Sequence, residues 1–171
     1  LNVAIQKDQD QINDLSDQIK KLGGNPNTGS TDKKIIIKEL NKQLEVLNIK
    51  NVLSDKNKNI IKDENINNIK VRFQKINDLS PKDLRKLVDE GKKYLKEGIV
   101  VVCANKDDKV GLAIGVTDSL TKNYDAVELV KAGSEIIGGK GGGGRKDFAQ
   151  AGGNKKDQID EAFNKIKTLI K

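Results

Sequence analysis

The chain has 171 residues, of which 35% are hydrophobic and 33% charged, and 32 Lys and Arg against 25 Asp and Glu give it a net charge of +7. This composition is typical of one globular domain or two small ones, and no apolar run has the length of a membrane span, so no membrane partner is expected. The chain has no His and one Cys, which excludes His-based nucleophile pairs and zinc clusters, and we predict no catalytic residue and no metal site.

Two amphipathic helices are predicted at the N-terminal end. Apolar residues recur at helical spacing over residues 1–22, and the glycines that follow should end this helix. Residues 23–32 are all turn formers, with Thr31 or Asp32 as a candidate cap for a second helix that has its apolar stripe over residues 36–47. Because the connection is short, we expect an antiparallel, coiled-coil-like hairpin. Two narrow stripes bury little surface, so the hairpin needs a neighbour, either the next domain or a second copy of the chain.

The periodicity of residues 51–68 supports no assignment, whereas the rest of the chain predicts an α+β domain. Strands are expected at residues 69–73, 99–104, 110–116 and 147–151, and helices at 81–95, 125–137 and 159–170. The stretch Ile99–Ala104 is apolar throughout, which is typical of a central strand covered on both faces. Ser80 as the cap and Pro81 at the first helical position predict where the first of these helices begins.

The most informative segment lies between Gly138 and Gly153, which holds half of the chain's 16 glycines. Ordering glycine costs more entropy than ordering any other residue, so a partner outside the fold is expected to compensate. Lys140, Arg145 and Lys146 lie within the run and favour an anion, above all a phosphate backbone. The spacing also fits a dinucleotide fingerprint and a P-loop. Both are disfavoured because the run follows a helix and lacks the required Lys-Ser/Thr pair.

Residues 138–153, GGKGGGGRKDFAQAGG, resemble the signature of the DHHA1 domain as it occurs at the C-terminus of alanyl-tRNA synthetases. The resemblance extends through Asp118–Thr121 and Ala126–Lys131 and covers about the last 90 residues. Lys146 stands where this family commonly has Pro, and Phe148 where it commonly has Met. The expected fold is therefore α+β. An N-terminal helical hairpin, residues 1–67, precedes a DHHA1-type globular domain, residues 68–171, with a small mixed β-sheet and flanking helices.

The resemblance also implies a function. Alanyl-tRNA synthetases use this region to hold the elbow of tRNA, where the D- and T-loops meet, and to link aminoacylation with editing. The implied partners are tRNA-Ala, the synthetase domains upstream of this chain and, as in many bacterial members, a second copy. ATP, Mg and Zn are then expected only in the upstream domains, with no cofactor in this chain. The implied location is cytoplasmic, which agrees with a single Cys in a reducing compartment.

The residue types in the glycine run suit recognition of RNA shape and phosphate with little base readout. We assign phosphate contacts to the three cations, close backbone approach to the glycines, and a hydrogen bond with a sugar or base edge to Gln150. The predicted RNA-binding residues are Lys140, Gly141, Gly142, Gly143, Gly144, Arg145, Lys146, Gln150, Gly152 and Gly153. Part of the run, including Gly152 and Gly153, has the alternative role of allowing a strand to pack tightly against a helix.

Several further side chains are expected to pack. Cys103 lies in mid-strand among valines, which predicts a buried, unreactive thiol. Phe73 and Phe163 fall on inward faces, and Phe148 and Tyr124, which border the glycine run, are expected to pack with RNA contact as the lesser alternative. Two other functions stay open: the nucleic-acid-gripping lobe of a DHH-type phosphodiesterase, and a module that chiefly dimerises.

Overall fold

The structure, a computed structural model, describes residues 2–171, and its contacts divide the chain into two compact units after Asp55. The first unit consists of helices α1 (Asn2–Lys21) and α2 (Lys33–Ser54). The Asp32 carboxylate caps α2 by accepting a hydrogen bond from the Lys34 amide at 3.0 Å, as predicted. Gly23 follows α1 with a φ of +85°, a conformation that favours glycine and ends the helix. The predicted contribution of Leu1 to the stripe lies outside the described residues.

The direction of this helical pair differs from the antiparallel hairpin that we expected. Gly24, just past the end of α1, lies against Leu47 of α2, and the Gln43 amide donates a hydrogen bond to the carbonyl of Asn27. The connection therefore runs back along α2 toward its start, and α1 and α2 point the same way. An extended connection spans about 3.3 Å per residue, so residues 22–32 are long enough for this path. The helices share a small apolar core of Leu15, Ile19 and Leu40.

The second unit is a six-stranded sheet with three helices. Its elements are β1 (Asn59–Ile66), β2 (Ile69–Asn77), α3 (Arg85–Leu95), β3 (Ile99–Lys106), β4 (Lys109–Val116), α4 (Ala126–Ile136), β5 (Gly142–Gly144), β6 (Phe148–Gly153) and α5 (Ile159–Leu169). The strand order is β1-β2-β3-β4-β6-β5, and only the β2–β3 pair is parallel. The predicted α+β class with a mixed sheet is confirmed, and the apolar strand β3 is central, as predicted.

Three local features differ from expectation. Strand β1 fills the segment left unassigned, and the boundary predicted after residue 67 falls in the turn between β1 and β2, twelve residues beyond the division at Asp55. Helix α3 begins at Arg85 without a side-chain cap, so the predicted start at Pro81 is wrong. Pro81 instead packs on Gly111 of β4, where the absence of a Cβ leaves room for its ring. Part of the glycine run forms strand β5.

Different helices cover the two faces of the sheet. On the α4–α5 face, Gly133 of α4 lies against Leu112, and Phe163 of α5 meets Phe73 with ring centroids 5.2 Å apart. On the opposite face, which we call the α3 face, Gly91 of α3 lies against the side chain of Val100. The predicted core roles of Phe73 and Phe163 are therefore confirmed.

The thiol of Cys103 is buried in the core on the α4–α5 face. Burial raises its pKa to about 12, so the thiol remains protonated and unreactive at neutral pH, as predicted. Phe148 is also buried, and the Tyr124 hydroxyl donates a hydrogen bond to the carbonyl of Lys171 at 2.8 Å while its ring packs against the core. Both aromatic side chains thus pack, as expected.

Candidate nucleic-acid interface

The glycine run forms an edge hairpin of the sheet. Helix α4 ends where Gly138 adopts a φ of +83° and the Gly139 amide donates to the Ser134 carbonyl at 2.8 Å, so glycines end this helix as predicted. Strand β5 then pairs antiparallel with β6. Between them, Arg145 and Phe148 exchange backbone hydrogen bonds of 2.7 and 3.3 Å that close the turn. We call β5, this turn and β6 the glycine hairpin.

One group of glycines in and beside this hairpin is required by packing. A Cβ at Gly139 would meet the Gly152 carbonyl and the Ser134 hydroxyl, and one at Gly153 would meet the carbonyl of Ile137. The same steric restriction applies to Gly142 and Gly144, because a Cβ at either would meet strand β6. Real Cβ atoms do not come this close to backbone atoms, so these positions hold the hairpin against α4 and against itself. Of the predicted RNA-binding glycines, Gly142, Gly144 and Gly153 therefore have a packing role.

A second group of glycines in and beside the hairpin faces open space. A Cβ at Gly143 would meet nothing within 4 Å, and one at Gly152 would meet only the Val110 carbonyl at 3.7 Å. Neither has a positive φ, so neither packing nor backbone conformation requires glycine there. Gly141 also has open space, but its φ of +105° favours glycine for conformational reasons. Close approach of a partner remains a reason for glycine at Gly143 and Gly152.

The two open glycines lie on one face with the predicted glutamine. Gly143 is the register partner of Gln150, and Gly152 follows Gln150 by two residues in β6, so all three point to the α3 face. All three are exposed. We call Gly143, Gln150 and Gly152 the open patch. It exposes bare backbone on both sides of a single amide side chain.

The predicted cations lie at the two ends of the hairpin. Arg145 and Lys146 lie in its turn and Lys140 just before β5, and all three are exposed. Arg145 meets the Asp147 carboxylate at 3.5 Å with 68% of its side chain accessible, while neither lysine has an ion-pair partner among residues 2–171. Two hydrogen bonds anchor the turn: the Ala126 amide to the Lys146 carbonyl at 2.9 Å, and Lys92 Nζ to the Asp147 carbonyl at 2.8 Å. The backbone of the turn that carries Arg145 and Lys146 is therefore anchored to α4 and α3.

A side chain not predicted from the sequence borders this surface. The Arg85 guanidinium stands over the Phe148 ring, 4.8 Å from its centroid. Arg85 lies about sixty residues before the hairpin in the sequence. Nothing in its local pattern distinguishes it from the other basic residues of α3, so only the pairing of β4 with β6 reveals its position.

Within the described part of the chain, no group of three or more Cys, Asp or Glu side chains is arranged to hold a metal ion. No helix among residues 2–171 has both the length and the apolar character of a membrane span.

The family model described as the DHHA1 domain matches residues 68–171. The chain belongs to the DHHA1 domain family, and the resemblance seen in residues 138–153 is confirmed. The chain is also 50% identical over 103 residues to the alanine-tRNA ligase of Parvibaculum lavamentivorans. That match covers 60% of this chain but 12% of the ligase, so the chain spans a small part of such relatives.

Two solved structures share the fold. The C-Ala domain of alanyl-tRNA synthetase from Aquifex aeolicus superposes with a TM-score of 0.60 and 30% identity, covering 64% of this chain and 97% of that domain. RecJ of Thermus thermophilus, in complex with Mn²⁺, has a TM-score of 0.51 and 11% identity, covering 82% of this chain and 20% of RecJ. At this low identity, the likeness to RecJ concerns the fold alone.

Proposed function

We propose that this chain is the C-terminal tRNA-binding region of an alanyl-tRNA synthetase and that it holds the elbow of tRNA-Ala. Aminoacylation and editing, with their ATP, Mg and Zn, then belong to domains upstream of this chain, and the location is cytoplasmic. The similarity to an alanine-tRNA ligase and to a C-Ala domain supports an alanyl-tRNA synthetase as the parent protein. The observation that carries the RNA-binding role is the glycine hairpin, where bare backbone and exposed cations lie together.

The open patch suits an RNA backbone for steric reasons. Because Gly143 and Gly152 have no Cβ and nothing covers them, a ribose-phosphate chain can come into contact with the protein backbone there. Between them, the Gln150 amide offers both a donor and an acceptor for a 2′-hydroxyl or a base edge. Such a surface recognises the phosphates and the path of an RNA backbone, and it is the path of the backbone that distinguishes the folded elbow from a simple helix.

The cations supply the complementary charge. Phosphate contacts position RNA on a protein without reading its sequence, and Lys140, Arg145 and Lys146 are placed for this role at both ends of the hairpin. The Arg145–Asp147 pair is exposed, and an exposed ion pair contributes at most about 1 kcal/mol. A phosphate can therefore replace Asp147 as the partner of Arg145.

Dimerisation through the helical pair is a second part of the proposal. Large apolar side chains in α1 and α2 are exposed: Val3, Ile5, Ile35 and Val46. Exposed apolar residues on a short helical pair favour a further apolar surface as a partner. If the fragment is chiefly a dimerisation module, it will form dimers in sedimentation experiments without binding tRNA.

The test is a titration of the chain with a tRNA-Ala transcript and with an acceptor minihelix that lacks the elbow, each at two salt concentrations. Arg145→Ala is compared with Lys62→Ala, which removes an exposed charge from β1 at the other end of the sheet. We expect whole tRNA to bind more tightly than the minihelix. Arg145→Ala should weaken binding and lower the slope of log affinity against log salt by about 0.9, the loss of one phosphate contact. Lys62→Ala should change neither.

Each alternative predicts a different result. Equal binding of minihelix and tRNA would exclude recognition of the elbow. An unchanged affinity and salt slope for Arg145→Ala would exclude the glycine hairpin as the binding site. Metal-dependent cleavage of short oligonucleotides by the parent protein would favour the DHH-type phosphodiesterase.

A further inference from the structure

Arg85 lies at the start of α3, with its guanidinium over the ring of Phe148. Phe148 precedes Gln150 by two residues in β6, so both side chains point to the α3 face. Two residues of a strand span about 7 Å. Arg85 therefore stands beside the open patch, although it belongs to a different element.

The segment before α3 runs along the same side of the patch. Pro81 packs on Gly111, and Gly111 is the register partner of Gly152. The segment from Pro81 to Arg85 thus passes from the level of Gly152 to that of Phe148 and forms one wall of the open patch. The opposite side is the free edge of β5. A chain that crosses the open patch from this edge ends against Arg85.

Comparison with Arg72 indicates that Arg85 is available to a ligand. Arg72 also stands over an aromatic ring, that of Tyr94 at 4.0 Å, but the Asp63 carboxylate accepts two hydrogen bonds of 2.8 Å from it. The hydrogen-bonding edge of Arg72 is therefore occupied. The nearest carboxylate oxygen to Arg85, Oδ2 of Asp89, is 4.0 Å away, and no group in residues 2–171 accepts a hydrogen bond from Arg85. Its side chain is 55% accessible.

We infer that Arg85 is a further RNA-contacting residue, which binds a phosphate of the RNA chain that crosses the open patch. This inference rests on the proposed function. The Phe148 ring supports one face of the guanidinium and restricts its orientation, while the donors at its edge remain free. A planar, fixed fork of N–H donors is well suited to two parallel hydrogen bonds with phosphate oxygens. Arg85 would extend the site from the edge hairpin to α3.

The test uses the whole chain and three substitutions. Arg85→Met keeps a long side chain on Phe148 and removes the charge, and Arg85→Lys keeps the charge without the fork. Lys93→Met, the control, removes the charge of an exposed lysine elsewhere on α3. For Arg85→Met we expect a loss of tRNA affinity on the order of tenfold and a salt slope lower by about 0.9. Arg85→Lys should retain the salt slope but bind more weakly than the wild type. Lys93→Met should bind as the wild type does.

The results also separate this inference from the proposed function. If the wild-type chain binds tRNA and Arg145→Ala weakens binding, but Arg85→Met does not, only the role of Arg85 is wrong. If Arg85→Met weakens binding without changing the salt slope, the phosphate contact is wrong. If the wild-type chain does not bind tRNA, the proposed function fails first. Thermal unfolding of Arg85→Met should match the wild type, because a packing role alone would appear as lost stability.

Discussion

The two ends of the sheet differ in how many of their basic side chains form ion pairs. At the β1 end, four basic side chains have acidic partners within 3.2 Å, namely Lys58 with Asp78, Arg72 with Asp63, Lys75 with Asp160 and Lys167 with Glu64. At the β5 end, the exposed cations are Lys140, Arg145 and Lys146, and among the described residues only Arg145 has a partner, at 3.5 Å. A net charge of +7 does not locate a binding surface. What distinguishes the β5 end is that its exposed cations lie beside open glycine backbone, whereas Lys62 of β1 is also exposed and without an ion pair in residues 2–171 but stands in a strand that contains no glycine.

The two ends also differ in what holds them together. Strand β1 is joined to β2 by eight register pairs and by the ion pair between Asp63 and Arg72, and to α5 by the ion pair between Glu64 and Lys167. Strand β5 has three residues, all glycine, and is held by close backbone contacts with β6 and α4. An added methyl group should therefore damage the β5 end, whereas removal of a charge should weaken the β1 end.

The largest effect is expected from Gly153→Ala. The new Cβ would meet the Ile137 carbonyl at the end of α4, and relief of such a clash costs about 2–3 kcal/mol of unfolding free energy. Urea unfolding followed by tyrosine fluorescence measures this cost. Both tyrosines, Tyr94 and Tyr124, lie in the second unit and the chain has no Trp, so the signal reports on that unit alone.

Gly152→Ala is the matched control for this substitution. The two glycines are adjacent and neither has a positive φ, but Gly152 has open space where Gly153 has backbone. We expect the unfolding free energy of Gly152→Ala to remain within about 0.5 kcal/mol of the wild type. Equal losses for both variants would show that packing does not distinguish the two groups of glycines.

A smaller effect, this time on binding, is expected from Gly143→Val. A β-branched residue suits a strand, and Gly143 has space for it, so stability should change little. The side chain would separate an RNA backbone from the open patch, and we expect tRNA affinity to fall about tenfold, or about 1.4 kcal/mol. Asn65→Val places the same side chain on β1 at the other edge and should leave affinity unchanged. Wild-type affinity for Gly143→Val would exclude contact at this glycine.

Much of the fold could be predicted from the sequence because hydrophobic periodicity marks long elements. The apolar run of β3, its partner β4 and the helices α4 and α5 follow from spacing alone. Strand β1 could not be predicted, because Asn59–Ile66 is polar at an exposed edge and has no alternating core face. The start of α3 was misplaced because Pro81, a good first residue of a helix, is used instead to pack on Gly111. Tertiary contact overrode local preference there.

The candidate site was only partly predictable for a related reason. Composition identifies the glycine run, but the twofold alternation of a strand decides which glycines point outward, and no pattern predicted that three glycines in succession would form β5. This alternation alone decides that Gly143 and Gly152 face open space, while the adjacent Gly142 and Gly153 lie against neighbouring atoms. Arg85 joins the surface through the sheet register, which the sequence does not reveal.

The smallest effect is expected at the β1 end, from Asp63→Asn. The hydrogen bonds from Arg72 lower the pKa of the Asp63 carboxyl below its ordinary value. A lowered folded pKa means that the pair contributes its stability above the unfolded pKa of about 3.9 and loses it as the pH falls through the folded pKa. The Asp63 side chain is 41% exposed and screened by solvent, so the contribution is at most about 1 kcal/mol.

Wild type and Asp63→Asn should therefore differ in urea unfolding at pH 7, and the difference should shrink only as the pH falls below the unfolded pKa of about 3.9 and through the lowered pKa of the folded Asp63 carboxyl. Asp108→Asn, at an exposed residue of the β3–β4 turn without an ion pair in residues 2–171, should show no such difference. Binding of tRNA by Asp63→Asn should equal that of the wild type, because Arg72 lies on β2, toward the opposite end of the sheet from the glycine hairpin. A gain in tRNA affinity would mean that Arg72, once released from Asp63, binds RNA, and the two ends would then differ only in the partner that occupies each arginine.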